Sequence, residues 1–271
     1  MRYFARFFVV ILSVIAVAPL VWHGISSVKP AAEVTRIPVT LVPAHPTLSN
    51  YAELFGRRAF FSYCLNSAVI AALASIICLA CSSLASYRLA RVTAQVRSLI
   101  SSALLVVAFF PPIVFLLPLY EIIRAVRLVN HPWGLIIPYA ALNLPMATLL
   151  LTGYFQQIPE ELEEAAAMDG LTPFQTYSRI ILPLAAPALV TTGILVFIFS
   201  WNEFMFALTF MNLESTKTVT VGIATLSGAF AEQVPWGLLA AGVVASSVPL
   251  IVFVLFLQRR IVAGLTAGAR N

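Results

Sequence analysis

Long runs of this chain contain no Asp, Glu, Lys or Arg, and that fixes the solvent in which it can fold. Phe7–Trp22, Ala59–Tyr87, Ser98–Tyr120, Leu128–Pro159, Ile180–Asn202 and Gln233–Gln258 are all free of them. A helix rises about 1.5 Å per residue and the hydrocarbon of a bilayer is about 30 Å thick, so about 20 residues suffice to cross it. Five runs exceed that length, and the first does so once it continues through His23 to Ser27. Only 10% of the 271 residues are charged and 61% are apolar, where a soluble domain carries about 25% charge. The pattern predicts an all-α integral membrane protein with six transmembrane helices, at about 5–27, 62–87, 98–120, 134–156, 185–208 and 236–258, in a single domain over residues 1–271.

Arg2 and Arg6 ahead of the first run, with Ala16 and Ala18, also fit a secretory signal, but Pro19 would follow the cut and the run continues past it, which suits an uncleaved anchor. With the N-terminus inside, Arg2, Arg6, Arg88, Arg91, Arg97, Arg179, Arg259, Arg260 and Arg270 fall on the cytoplasmic side, so both termini are expected there. The net charge of +5 then reflects membrane orientation, and no basic cluster interleaved with aromatics points to nucleic acid. Cys64, Cys78 and Cys81 lie in the second run without a companion His or carboxylate, so they read as small buried hydrophobes rather than metal ligands.

Residues 28–58 form the largest loop expected outside. Pro30, Pro38, Pro43 and Pro46 make it extended, with a short helix near Asn50–Phe55. It reads equally as a surface for an external partner or as a spacer. No fixed repeat and no inverted symmetry stand out.

The interior of the chain holds one polar, helix-forming island, expected as a cytosolic loop over 159–182 between the fourth and fifth spans. Glu160, Glu161, Glu163 and Glu164 follow Pro159, which places negative charge at the positive end of a helix dipole with proline at the first helical position. Gly170 is a stop signal, and Thr172, Pro173 and Gln175 spell the capping box of a second helix. Ala165, Ala166 and Ala167 offer a small-residue surface that another backbone can approach, edged by Leu162, Met168 and Leu171. An amphipathic helix lying on lipid is the alternative, but such helices favour Lys and Arg on their polar face and this one is acidic. Docking into a protein groove is the better reading.

Glu164, Ala165 and Ala166, then Gly170 after three residues, then Ile180, Leu182 and Pro183 after nine more, resemble the E-A-A-x3-G-x9-I-x-L-P loop of ATP-binding-cassette importer permeases. Asp169, with Ile158, Pro159, Glu161, Leu162 and Glu163, looks like the carbohydrate branch of maltose-type, six-span permeases. Further similar features are Lys29, Pro30 and Glu33, Leu48, Asn50 and Tyr51, Asn66 and Ser67, and Trp201 to Phe204. The resemblance implies that Glu164, Ala165, Ala166, Asp169, Gly170, Leu182 and Pro183 couple to a cytosolic ATPase. It also implies a second permease subunit, two ATPase copies, an extracytoplasmic sugar-binding protein and residence in the bacterial inner membrane. A rigid element suits that role, since reversing a 1:99 equilibrium takes about 5.5 kcal/mol and an exposed ion pair supplies about 0–1.

This chain binds no ATP in that scheme. Its only lysines, Lys29 and Lys217, follow Val28 and Thr216, so no G-x-x-x-x-G-K-[ST] exists, and ATP with Mg belongs to the partner. No catalytic or metal residues are expected. Candidates for the substrate path are Asn143, beside helix-loosening Pro145, and Trp201, Asn202 and Glu203. Trp201 reads as a stacking face for a sugar ring or as an interfacial anchor, and Asn143 as a path residue or part of a kink. Glu203 sits about 22 Å into the fifth helix if that helix starts near Ala188, and near the outer interface if it starts at Ile180. The expected function is therefore half of the membrane path for a di- or oligosaccharide. An ion-coupled secondary transporter, or a permease for another solute, is the alternative.

Overall fold

The computed structural model describes residues 2–36, 38, 40–227 and 234–268, with the helix ends 2–5 and 257–268 as backbone. Gln233, where the sixth charge-free run begins, and Arg270 of the basic set lie outside the described residues, as do the side chains of Arg2, Arg259 and Arg260. The described elements are helical throughout: α1 (Arg2–Ser27), α2 (Ala31–Val34), α3 (Ser49–Gly56), α4 (Phe60–Ala90), α5 (Ala94–Phe109), a 3₁₀ turn (Pro112–Phe115), α6 (Leu116–Ala125), α7 (Trp133–Phe155), α8 (Glu161–Met168), α9 (Pro173–Thr176), a π turn (Tyr177–Ile181), α10 (Leu182–Leu184), α11 (Ala186–Asn202), α12 (Met205–Phe210), a 3₁₀ turn (Glu214–Thr216), α13 (Val219–Ala224) and α14 (Trp236–Gly268).

Among the described residues four segments are long and apolar enough to cross a membrane: Arg6–Ser27, Phe60–Ala90, Trp133–Phe155 and Trp236–Phe256. Two bent pairs raise the number to as many as six, Ala94–Phe109 with Pro112–Ala125 at 82° and Pro173–Leu184 with Ala186–Asn202 at 74°. The third expected span, 98–120, is thus not one rod. Pro111 and Pro112 have no N–H to give to the preceding turn, and Pro111 holds Phe110 extended at φ −70°, ψ 133°, so α5 ends there. The fifth, 185–208, is also interrupted: α11 stops at Asn202 because Glu203 is extended at φ −66°, ψ 133°. Pro138 and Pro145, by contrast, are carried inside an unbroken α7.

The chain divides into two compact units. The first comprises residues 1–65 and 217–251. Here the loop after α1, expected to be extended, is folded. Lys29 is only 2% exposed, its Nζ donating to the Thr40 carbonyl and lying 5.3 Å from the centre of the Trp22 ring. Glu33 Oε1 accepts from Thr40 Oγ1 at 2.8 Å and from the Ala44 N–H at 3.0 Å. Asn50 Nδ2 donates to the carbonyls of Ser27 and Lys29, and Tyr51 to Ser27 Oγ, tying α3 to the end of α1. Gly237 leaves room for Asn50, whose amide would lie 2.8 Å from an added Cβ. Gly237, at the start of α14, thus admits a polar side chain, whereas Gly242 faces Leu226, Ile223 and Phe60.

The second unit comprises residues 66–216 and 252–271. Its centre is α7, packed against α5, α11 and α12. Leu151 and Phe155 are fully buried with Tyr87, Tyr177, Ile181 and Ala185, and Cys78 joins Ala140, Ala147 and Val196 in a second cluster. Of the cysteines, Cys78 alone is buried. Cys64 is half-buried, and Cys81, three residues beyond Cys78, is exposed.

Candidate functional site

The polar island folds as helix, turn, helix. Glu160 is the N-cap of α8, so Pro159 stands just before the cap rather than at the first helical position, and Glu161, Glu163 and Glu164 occupy the first turn. Four N–H groups without intrahelical partners and the helix dipole make that turn favourable for carboxylates. At the other end Gly170 N–H donates to Ala167 O and Leu171 N–H to Ala166 O, each at 3.0 Å, with Gly170 at φ 79°. This is the Schellman arrangement, in which the left-handed residue is normally glycine. Nothing lies within 4 Å of where a Gly170 Cβ would stand, so backbone conformation, not crowding, selects glycine here.

The second half starts from a complete capping box: Thr172 Oγ1 accepts from Gln175 N–H at 3.4 Å, and Gln175 Oε1 accepts from Thr172 N–H at 2.8 Å. Pro173 takes the first helical position. A π turn follows, its last bond running from Leu182 N–H to Tyr177 O, and the next residue, Pro183, has no N–H with which to resume the ordinary ladder. Leu182 packs against the buried cluster around Phe155, whereas Pro183 is exposed.

The element presents one face to solvent. Glu164, Ala165, Ala167, Asp169 and Gly170 are exposed, and Met168 (83% exposed) and Phe174 (70%) stand out from it. Ala166 does not belong to that face. It is 2% exposed and points into the chain, so the small-residue surface expected at 165–167 is made by Ala165 and Ala167. Phe174 was not legible as part of this exposed face, although a lone aromatic in the first turn of a polar helix is the signal that marks it.

Arg91 was legible only as a basic flank. Its guanidinium donates through Nε to Glu163 Oε1 at 2.7 Å and through its two terminal nitrogens to the carbonyls of Phe155 and Ile158 at 3.1 Å. Tyr87 donates to Glu163 Oε2 at 2.7 Å. Hydrogen bonds to a charged partner are worth about 1.5–3 kcal/mol each, and the pair is only 16% and 24% exposed, so solvent screens it less than a surface pair. A cation at the carbonyl of Phe155, the last residue of α7, also suits the negative end of that helix.

The path candidates separate. Asn143 is half-buried in α7, its amide donating to Tyr139 O at 2.8 Å. Trp201 is 3% exposed and stacked at 5.8 Å on Phe197, so its ring offers no open face in this chain. Asn202 is exposed and donates to Ile198 O at 2.8 Å. Glu203 follows an α11 that starts at Ala186, about 25 Å along that helix. Its carboxylate accepts from Tyr139 Oη at 2.5 Å and from the N–H groups of Phe206 and Ala207 at 2.9 and 3.1 Å. Glu203 thus breaks α11, caps α12 and pins both to α7. Among the described residues no group of three His, Cys, Asp or Glu side chains is placed to hold a metal ion.

Residues 82–266 match the family described as binding-protein-dependent transport system inner membrane component, and the chain belongs to that family. It is similar, at 40% identity over 95% of this chain and 90% of the relative, to the sulfoquinovosyl glycerol transport system permease protein SmoH of Agrobacterium fabrum. It is 41% identical to the trehalose transport system permease protein SugB of Mycobacterium tuberculosis, over 94% of this chain and 92% of that one. It is 39% identical to the trehalose/maltose transport system permease protein MalG of Thermococcus litoralis, over 96% and 93%. Its fold matches a chain in the crystal structure of a bacterial ABC transporter involved in the import of the acidic polysaccharide alginate, with a TM-score of 0.79 and 22% identity over 95% and 96% of the two chains. The protein is a multi-pass transport component of the plasma membrane, helical throughout its described elements.

Proposed function

We propose that this chain forms half of the membrane path of an ATP-driven sugar importer and is driven through α8 and the Gly170 turn by a separate ATPase. The observation that carries the reading is the exposed acidic and apolar face of Glu164, Ala165, Met168 and Phe174, on a capped, rigid element in a chain of membrane helices. Such a face fits a cleft lined by apolar and basic groups. In this scheme Glu164, Ala165, Asp169 and Gly170 meet the ATPase, Leu182 and Pro183 set the angle at which the loop rejoins α11, and Ala166 serves from inside. Asn143 and Asn202 are the path candidates, with Glu203 supporting the broken helix between them. ATP and Mg are bound by the partner.

Six spans with each bent pair counted as one, both termini in the cytoplasm, a second permease, two ATPase copies and an external binding protein complete the proposal. The sugars in the relatives' names, trehalose and maltose among them, support a di- or oligosaccharide. Purification of the complex from native membranes, followed by ATPase assays against a panel of disaccharides and short oligosaccharides with the binding protein present, tests it. Co-purification of an ATPase and stimulation by one sugar are expected. Uptake that persists without ATP and collapses with an ion gradient would overturn it in favour of secondary transport, and stimulation only by a non-sugar would reassign the solute.

A further inference from the structure

The cytosolic-end stripe of α4 is built to hold both halves of the docking element at once. Ser83, Tyr87 and Arg91 follow at intervals of four, so they line one side of the helix and its first residue beyond. Arg91 and Tyr87 together engage both oxygens of the Glu163 carboxylate of α8, each on its own oxygen at 2.7 Å. Ser83 Oγ meets Tyr177 Oη, from the turn after α9, at 2.8 Å, and the Tyr87 and Tyr177 rings lie 5.2 Å apart. The same Arg91 guanidinium closes the end of α7 through Phe155 O and Ile158 O. One cation therefore joins α4, α7 and α8, and a second contact on the same stripe fixes the other half of the loop.

We infer that Arg91 and Glu163, with Tyr87, are positioning residues that make α8 move as one body with the ends of α4 and α7. A docked α8 without this joint would swing on the Pro159 and Gly170 segments and leave the membrane helices behind. The joint faces inward, so its role is to transmit displacement, not to bind the partner. The inference rests on the docking reading, and the two fail in different ways.

The test uses the assembled complex with Cys64, Cys78 and Cys81 replaced by Ser and spin labels at Arg88→Cys and at Glu161→Cys, an exposed position of α8 not assigned to the docking face. Distances are measured without nucleotide and with a non-hydrolysable ATP analogue. The expected result is one narrow distance, unchanged between the two states. In Glu163→Gln or Arg91→Gln the distribution should broaden or shift between states by more than about half a helical turn, ~2.7 Å, and uptake of maltose or trehalose per ATP hydrolysed should fall roughly fivefold or more. The exchange variant Arg91→Glu with Glu163→Arg restores the pair but not the bonds to Phe155 and Ile158, so it should recover only part of the loss. Narrow, unshifted distances in the single variants would overturn the joint, as would a wild-type distance that changes with nucleotide. If the single variants do not assemble, an exchange variant that assembles with a narrow distance supports the joint, and one that assembles with a wild-type transport ratio despite a broad distance overturns it. Failure of an ATPase to co-purify with the wild-type chain would sink the docking reading instead.

Discussion

Gly170 separates two reasons for using glycine. No neighbour crowds its Cα, and its φ of 79° is what a side chain resists, at about 1–2 kcal/mol for most L-residues. Gly170→Ala should therefore weaken ATPase co-purification and uptake, while Gly170→Asn, which tolerates the left-handed region, should retain more of both. Equal losses in the two variants would mean that the partner needs the empty volume itself. Glu203 yields to the same kind of reasoning. Its carboxylate replaces the helix bonds lost where α11 ends, and losing a cap of this kind costs about 0.5–2 kcal/mol. Glu203→Ala should lower the thermal midpoint of the detergent-purified subunit, and Glu203→Gln should lower it less because one oxygen remains to accept. A midpoint unmoved by Glu203→Ala would remove the capping role.

At the scale of elements, the sequence was informative where one local rule decides and silent where a distant partner does. Thr172, Pro173 and Gln175 specify their own capping box, and Gly170 its own turn, so the island was legible as two helices. Pro111 and Pro112 are a local signal for a kink, but the 82° bend follows from their acting in tandem after an extended Phe110. Arg91 and Glu163 are 72 positions apart, and nothing in either neighbourhood names the other. Trp201 could not be placed for a similar reason: its cover, Phe197, lies one turn away, yet only the packing of α11 shows which ring is inside. The loop after α1 carries a further expectation. Hydrogen bonds from the Ala44 N–H and the Thr40 hydroxyl hold the Glu33 carboxyl below its usual 4.5. A carboxyl lowered on folding stabilises the loop at pH values above its unfolded value, and that contribution is lost as pH falls through the folded one. A spin label at Leu41 should thus gain mobility on acidification below the ordinary carboxylate range, and Glu33→Gln should show that mobility already at neutral pH. Mobility independent of pH in the wild type would remove Glu33 as the latch.

For the whole molecule, composition settled the class of solvent, and the bends decide how many times the chain crosses it. Reporter fusions read that out: a phosphatase inserted at Pro43 is expected to be active outside the cell, and a fluorescent protein inserted after Asp169 to fold inside. An active phosphatase at both positions would turn the proposed topology over. From Arg6 to Trp22 every residue of α1 is exposed, with Phe7, Val14 and Ile15 each more than 60% so. Over that length the helix adds nothing to the interior of its own chain. Its lipid or protein sheath has to come from elsewhere, so stripping away annular lipid should strand this segment first, and a complementary hydrocarbon ridge on a companion subunit would find its seat already vacant.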